Sequence, residues 1–185
     1  GTVRLTLNSL CSEVSGSAQR AFTLTGPYGS GKSTFALFLD CLLSPDKRLR
    51  KRAFGKIKDC DQTVDCFNKA FPYKNGWGVV KHLCDLNAPV QAIAETLLAA
   101  LTDESVKTAS FSDAECLQRI EEALEHRDKS LDGIVLIVDE LGKALDYQAT
   151  KGGDLHFFQS LADIFQSVSN AVIIGTLHQS FAAYA

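Results

Sequence analysis

The chain has 185 residues, 45% hydrophobic and 22% charged, with a formal net charge of −3 at pH 7. That length can bury one substantial core but leaves little room for a second large domain. The charge is too balanced to draw in nucleic acid or membrane as a whole, so any such partner must be met locally. The longest apolar runs, Ile134 to Val138 and Ala171 to Gly175, fall far short of a bilayer span, and no basic-then-apolar leader opens the chain, so a cytoplasmic location and no membrane partner are expected.

Residues 1–20 read as an extension packing on a core of residues 21–185, and the absence of any methionine leads us to expect a piece of a longer protein. Ala21 to Thr25 has the composition of a strand. Ser33 to Leu43 is apolar on nearly every side, as in a buried helix, and Ser44-Pro45 stops it. The run KRLRKRAFGKIK (residues 47–58) follows, the only dense block of charge. It reads either as a helix packing Leu49, Ala53 and Ile57 inward, or as a contact for nucleic acid or an acidic neighbouring subunit.

Trp77 to Cys84 is the second expected strand, and Val90, Ile93, Ala94, Leu97, Leu98 and Leu101 then recur at helical spacing. Ser112 and Glu115 form a capping box ahead of Leu117, Ile120 and Leu124. Gly133 to Val138 (GIVLIV) is apolar without alternation, as in a strand covered on both faces. After a glycine loop at Gly152-Gly153, Leu155, Phe158, Leu161, Ala162 and Phe165 mark a helix, and Ala171 to Thr176 a fourth strand. Strands alternating with helices predict a three-layer α/β fold with a mainly parallel sheet. The six cysteines lack ligand spacing and read as reduced, buried thiols. Trp77 with Tyr73 and Phe71 reads as a core edge, and His82 and His126 suggest no catalytic geometry.

Between the first strand and first helix lies Gly26-Pro27-Tyr28-Gly29-Ser30-Gly31-Lys32-Ser33, which fits GxxxxGK[ST], the P-loop, with Thr34 following. Glycines let consecutive N–H groups turn inward, and the helix N-terminus adds positive potential at the same place, which suits the phosphates of a nucleotide. Lys32 would reach the β- and γ-phosphates, and the Ser33 hydroxyl would take one position on Mg²⁺. The GIVLIV strand ends in Asp139-Glu140. Asp139 is the second expected metal residue, and Glu140 is placed to orient or deprotonate an attacking water.

A P-loop joined to an apolar strand ending in Asp-Glu resembles the P-loop ATPases that carry a catalytic glutamate, the division holding AAA+, ORC-like, STAND, RecA-like and ABC proteins. The resemblance covers roughly residues 20–180. It implies ATP and Mg²⁺ as ligands, and a strand between the P-loop strand and the Asp-Glu strand, ending in a polar sensor. AVIIGTLHQ supplies Thr176 for that role, with His178 and Gln179 next. Guanine recognition by NKxD is missing, as is an LSGGQ-type signature within residues 110–132, although DELGKALD and His178 look like ABC features. The phrases TGPYGSGKSTFALFL, VDELGKAL and GTLHQSFAAYA are similar to large bacterial antiviral ATPases. The expected activity is Mg²⁺-dependent ATP hydrolysis that drives or times a change in an oligomer or defence complex. The alternatives are an ATP-binding switch with negligible turnover, an ABC-class ATPase and a phosphotransferase. Arg4, Arg20, Arg119 and Arg127 are available as an arginine finger, and an adenine site is expected near Leu5 to Cys11 or outside the chain.

Overall fold

In the computed structural model, residues 2–57, 61–85, 88–102, 105–151 and 155–179 are described. Lys58 of the basic run, Cys60 and the Gly152-Gly153 loop lie outside them. The chain order is α1 (Thr2–Gly16), β1 (Ala21–Thr25), α2 (Lys32–Leu43), α3 (Lys47–Phe54), α4 (Asp61–Ala70), β2 (Trp77–Leu83), α5 (Pro89–Thr102), α6 (Asp113–His126), β3 (Gly133–Asp139), α7 (Leu141–Lys151), α8 (His156–Ser167) and β4 (Ala171–Leu177).

The unalternating strand β3 explains the architecture. With side chains pointing to opposite faces in turn, a strand apolar throughout demands a cover on each side. Ile134, Leu136 and Val138 enter a core built with α5, α6, α7 and α8. Val135 and Ile137 enter a second core built with α1, α2, α3 and α4. The result is the three-layer α/β fold expected. All strand pairs are parallel, in the order β1-β4-β3-β2, so β4 lies between the P-loop strand and the Asp-Glu strand. This is a P-loop NTPase-like arrangement. Among the described residues no helix is long and apolar enough to cross a membrane.

The four strands lie within a residue of their expected bounds, and Ser112 and Glu115 make both bonds of the capping box. Three helices, α1, α4 and α7, were not expected as such. Two expected burials fail. Leu49 is 40% exposed and Leu37 56%, whereas Ala53 and Ile57 are buried as expected and α2 buries Phe35, Ala36, Leu39, Leu42 and Leu43. In α3 a further anchor is Arg50, whose guanidinium lies 3.8 Å from the Tyr73 ring centre and 4.9 Å from that of Phe54. Trp77 is 2% exposed, inside the core rather than at its edge. Cys11, Cys84 and Cys116 are buried free thiols, whereas Cys41 and Cys66 are only partly covered.

Close packing gives one sharp stability prediction. A Cβ on Gly133 would stand 2.4 Å from Trp77 Cζ3 and 2.6 Å from the Asn170 carbonyl, with β3 pinned between β2 and β4. Overpacking against a ring and a backbone at once allows little relaxation. Gly133→Ala should cost about 3 kcal/mol, read as a lowered urea midpoint.

A second concerns pH. The Asp132 carboxylate accepts the backbone N–H groups of Lys74, Asn75 and Gly76 at 2.6, 2.7 and 2.8 Å, fixing the turn into β2. Desolvation pushes its pKa up, but the three N–H bonds and the Lys74 charge prevail and hold it below the usual range. A depressed folded pKa stabilises above the unfolded value of about 3.9 and loses that stability as pH falls through the folded pKa. Asp132→Asn should therefore cost about 1–2 kcal/mol at neutral pH, after allowance for solvent screening, and progressively less below about pH 4. Urea melts across that range measure both.

Candidate functional site

Strand register assembles the site. Ile137 pairs with Ile174, Val138 with Gly175, Leu24 with Thr176 and Thr25 with Leu177, so the C-terminal ends of β1, β4 and β3 lie side by side. Gly26 continues this order by donating its N–H to the Leu177 carbonyl at 3.1 Å. Ligands of open parallel sheets bind at such strand ends, and the P-loop begins there.

The loop from Gly26 to Gly31 turns through Gly29 (φ 75°) and Gly31 (φ 88°), a left-handed conformation that side chains with a Cβ resist. Gly31 is the N-cap of α2 and no side chain caps that helix. Its first-turn N–H groups therefore face the loop, where an anion is favoured by the helix dipole. Lys32, Ser33 and Thr34 form that first turn. The Lys32 ammonium is folded back, donating to the Gly26 carbonyl at 2.5 Å and the Pro27 carbonyl at 2.9 Å. His178 Nδ1 lies 3.5 Å from it, and the His178 ring stacks on Tyr28 with centres 3.5 Å apart. Tyr28, in the middle of the P-loop, is 74% exposed and holds this stack.

At the end of β3, Asp139 and Glu140 are organised by Thr176. The Thr176 hydroxyl, on a residue 1% exposed, donates to Asp139 Oδ1 at 2.5 Å. It accepts the Glu140 N–H at 2.9 Å, and Asp139 Oδ1 accepts the same N–H at 3.0 Å. Desolvation raises the Asp139 pKa, but the bonds from Thr176, Ser33 and the Glu140 N–H, with the Lys32 charge, outweigh it and hold it below the ordinary range. The carboxylate is ionised at neutral pH, with the Ser33 hydroxyl in its neighbourhood.

Glu140 occupies a left-handed backbone conformation (φ 56°), which a glutamate rarely adopts. The turn leads directly into α7, so that Lys143, one helical turn on, forms an ion pair with the Glu140 carboxylate. Glu140 and its own charge raise the Lys143 pKa, first through their hydrogen bond. Lys143 was not anticipated from the sequence, because α7 was not. Nearby, Cys84 donates its N–H to the Asp139 carbonyl at 2.9 Å. Burial, followed by the charges of Asp85, Asp139 and Glu140, pushes its thiol up to about 12, so it stays a protonated packing group.

Beside the P-loop opens a cleft of about 910 Å³ between α1 and α2. Val3, Arg4, Thr6, Phe38 and Ile57 line it together with Ser30 to Lys32. The segment expected for adenine, Leu5 to Cys11, is mostly elsewhere. Leu7, Leu10 and Cys11 are buried in the core, and the first turns of α1 face the cleft instead. Of the arginines, Arg20 is bonded to the Val14 carbonyl, Arg119 lies over Phe111, and Arg127 reaches the Leu131 carbonyl, whereas Arg4 lines the cleft.

No protein-family model matches the chain, and no curated protein does. Among solved structures, a chain from Drosophila ORC bound to AT-rich DNA and Cdc6 superposes with a TM-score of 0.45 at 13% identity. The match covers 96% of this chain and 50% of that one, so this chain spans about half the length of its neighbour. Similarity at that level assigns neither a family nor an activity.

Proposed function

We propose that the protein binds Mg²⁺·ATP in the P-loop and hydrolyses it with Glu140 directing the water. The observation that carries the reading is the meeting of the P-loop, Ser33, Asp139 and Glu140 at one corner of the sheet, with Thr176 bonded to both acidic residues' positions. Backbone N–H groups of Gly26 to Gly31 and the start of α2 hold the phosphates. Lys32 exchanges its two loop carbonyls for the β- and γ-phosphate oxygens, and Thr34 follows on the same turn.

A hydroxyl beside an ionised carboxylate is the donor set a hard cation takes, so Ser33 and Asp139 would hold Mg²⁺. Bound there, the ion would neutralise phosphate charge. Glu140, once released by Lys143, orients a water in line with the γ-phosphate and accepts its proton as the P–O bond to ADP breaks. Thr176 acts as a positioning residue, because its hydroxyl proton is committed to Asp139. His178, with Nδ1 3.5 Å from the Lys32 ammonium, is the polar residue beside the phosphate-binding cation. Thr176→Val should lower kcat about 10-fold or more with a smaller change in KM, and loss of the hydroxyl's bonds to Asp139 and to the Glu140 N–H should cost about 1–2 kcal/mol in a urea melt.

Hydrolysis would time a conformational change in a larger assembly. From the likeness of its P-loop, Asp-Glu and His178 segments to bacterial antiviral ATPases, we take that assembly to act against phage. The test is ATP binding and phosphate release measured together, with and without Mg²⁺. Binding with metal-dependent release supports the reading, and absence of binding defeats it. One observation favours a second reading, a switch that binds ATP without turnover. Glu140 is paired with Lys143, and Lys32 is folded onto its own loop, a resting arrangement. Binding without release would select that reading.

A further inference from the structure

We propose that the outer face of α3 docks on the phosphate backbone of a nucleic acid. Residues 47–56 hold six of the chain's 19 Lys and Arg, in a protein whose net charge is −3. One of the six, Arg50, is structural: besides its two rings it donates to the Leu42 carbonyl at 3.0 Å and to Asn68 Oδ1 at 2.7 Å. That contact, with buried Ala53, fixes the rotation of the helix. Lys47, Arg48, Lys51 and Arg52 are all exposed. At 3.6 residues per turn they fall within an arc of about 140° on the side turned away from the core.

These charges do not serve the helix. Lys47 and Arg48 occupy its first turn, where positive charge opposes the dipole. Nor are they neutralised. The Asp46 carboxylate is used on the Arg48 and Leu49 N–H groups, and the side-chain ion pairs among the described residues are Lys81–Asp40 and Lys143–Glu140.

Four cations in two i,i+4 rows, about 6 Å apart along the axis, suit a partner whose charges are closely and regularly spaced. A nucleic-acid strand carries a phosphate about every 3.4 Å. A membrane surface fits less well, because the apolar side of α3 is turned into the core and only Leu49 stands at its flank. Contacts to phosphate alone position without reading sequence, so little base preference is expected. Lys56, just after α3, lines the cleft beside the P-loop, which places this surface next to the proposed nucleotide site. The docking surface itself does not depend on the ATPase reading.

The experiment is fluorescence anisotropy of a labelled mixed-sequence DNA of about 20 nucleotides, single-stranded and duplex, over about 50 to 200 mM salt. The protein should bind, with log K falling against log salt at a slope of about −3 to −4 on duplex, as four phosphate contacts require. Lys51→Glu with Arg52→Glu should weaken binding by at least about tenfold and flatten the slope. Lys129→Glu with Lys151→Glu, an equal charge change elsewhere, should leave it intact. Should the reversed pair melt differently from wild type, Lys51→Gln with Arg52→Gln replaces it. No binding at the lowest salt overturns the proposal. So does equal loss in both pairs, or binding confined to polyglutamate or to anionic phosphatidylserine vesicles.

Discussion

Glu140→Gln should bind ATP as tightly as wild type and release phosphate about 10²- to 10⁴-fold more slowly, the range for removing a positioned general base. The amide keeps the size and hydrogen-bonding reach of the carboxylate but takes no proton. The fold should be unaffected, since the Glu140 N–H bonds to Asp139 and Thr176 are made by the backbone. Single-turnover phosphate release beside equilibrium binding separates the two effects. Equal loss of binding and turnover would mean that the residue shapes the pocket rather than acting on water. Unchanged turnover would make it a strand terminator. Lys143 sharpens the test: Lys143→Ala frees the Glu140 carboxylate from its ion pair, and basal release should rise if that pair holds the resting state.

What the residue pattern revealed depended on whether a signal was local. β3 and β4 are short apolar runs bounded by polar residues, and their placement follows directly. The capping box at Ser112 and Glu115 is likewise a two-residue device readable in one dimension. α1 carried an equally good signal, with Leu7, Leu10, Cys11 and Val14 at i, i+3, i+4 and i+7, but its Thr and Val residues mask it as extended chain. α7 is harder, because its buried positions include Gly142 and Gln148, which hydropathy does not count as core.

The site divides in the same way. The P-loop and the Asp-Glu pair are contiguous motifs, but their meeting is a consequence of strand order and register. Thr176 stands opposite Asp139 only because Val138 is paired with Gly175. Its hydroxyl then donates to Asp139 and accepts the Glu140 N–H, two contacts that no local sequence signal announces. Tyr28 and His178 are far apart in the chain and meet only in the folded protein. Gly175 also matters here, since a Cβ on it would approach Leu141 Cδ2 to 2.5 Å, at the turn that carries Glu140 into α7.

The other large effect is expected at Lys32. Lys32→Ala should raise the Kd for ATP roughly 10- to 100-fold, the equivalent of one or two charge-assisted bonds to phosphate. The free protein should barely notice the change, because the bonds that Lys32 makes at rest go to loop carbonyls that water can reach on an exposed turn. That contrast gives the measurement. With saturating ATP, the wild-type melting temperature should rise by mass action on the folded state, while Lys32→Ala should rise distinctly less at the same ATP concentration. Lys32→Arg should not restore the shift, since a planar guanidinium is too broad for a site shaped around an ammonium. Should Lys32→Ala keep the full ATP-dependent shift, the triphosphate lies outside the loop, and the cleft between α1 and α2 would be the place to look for it.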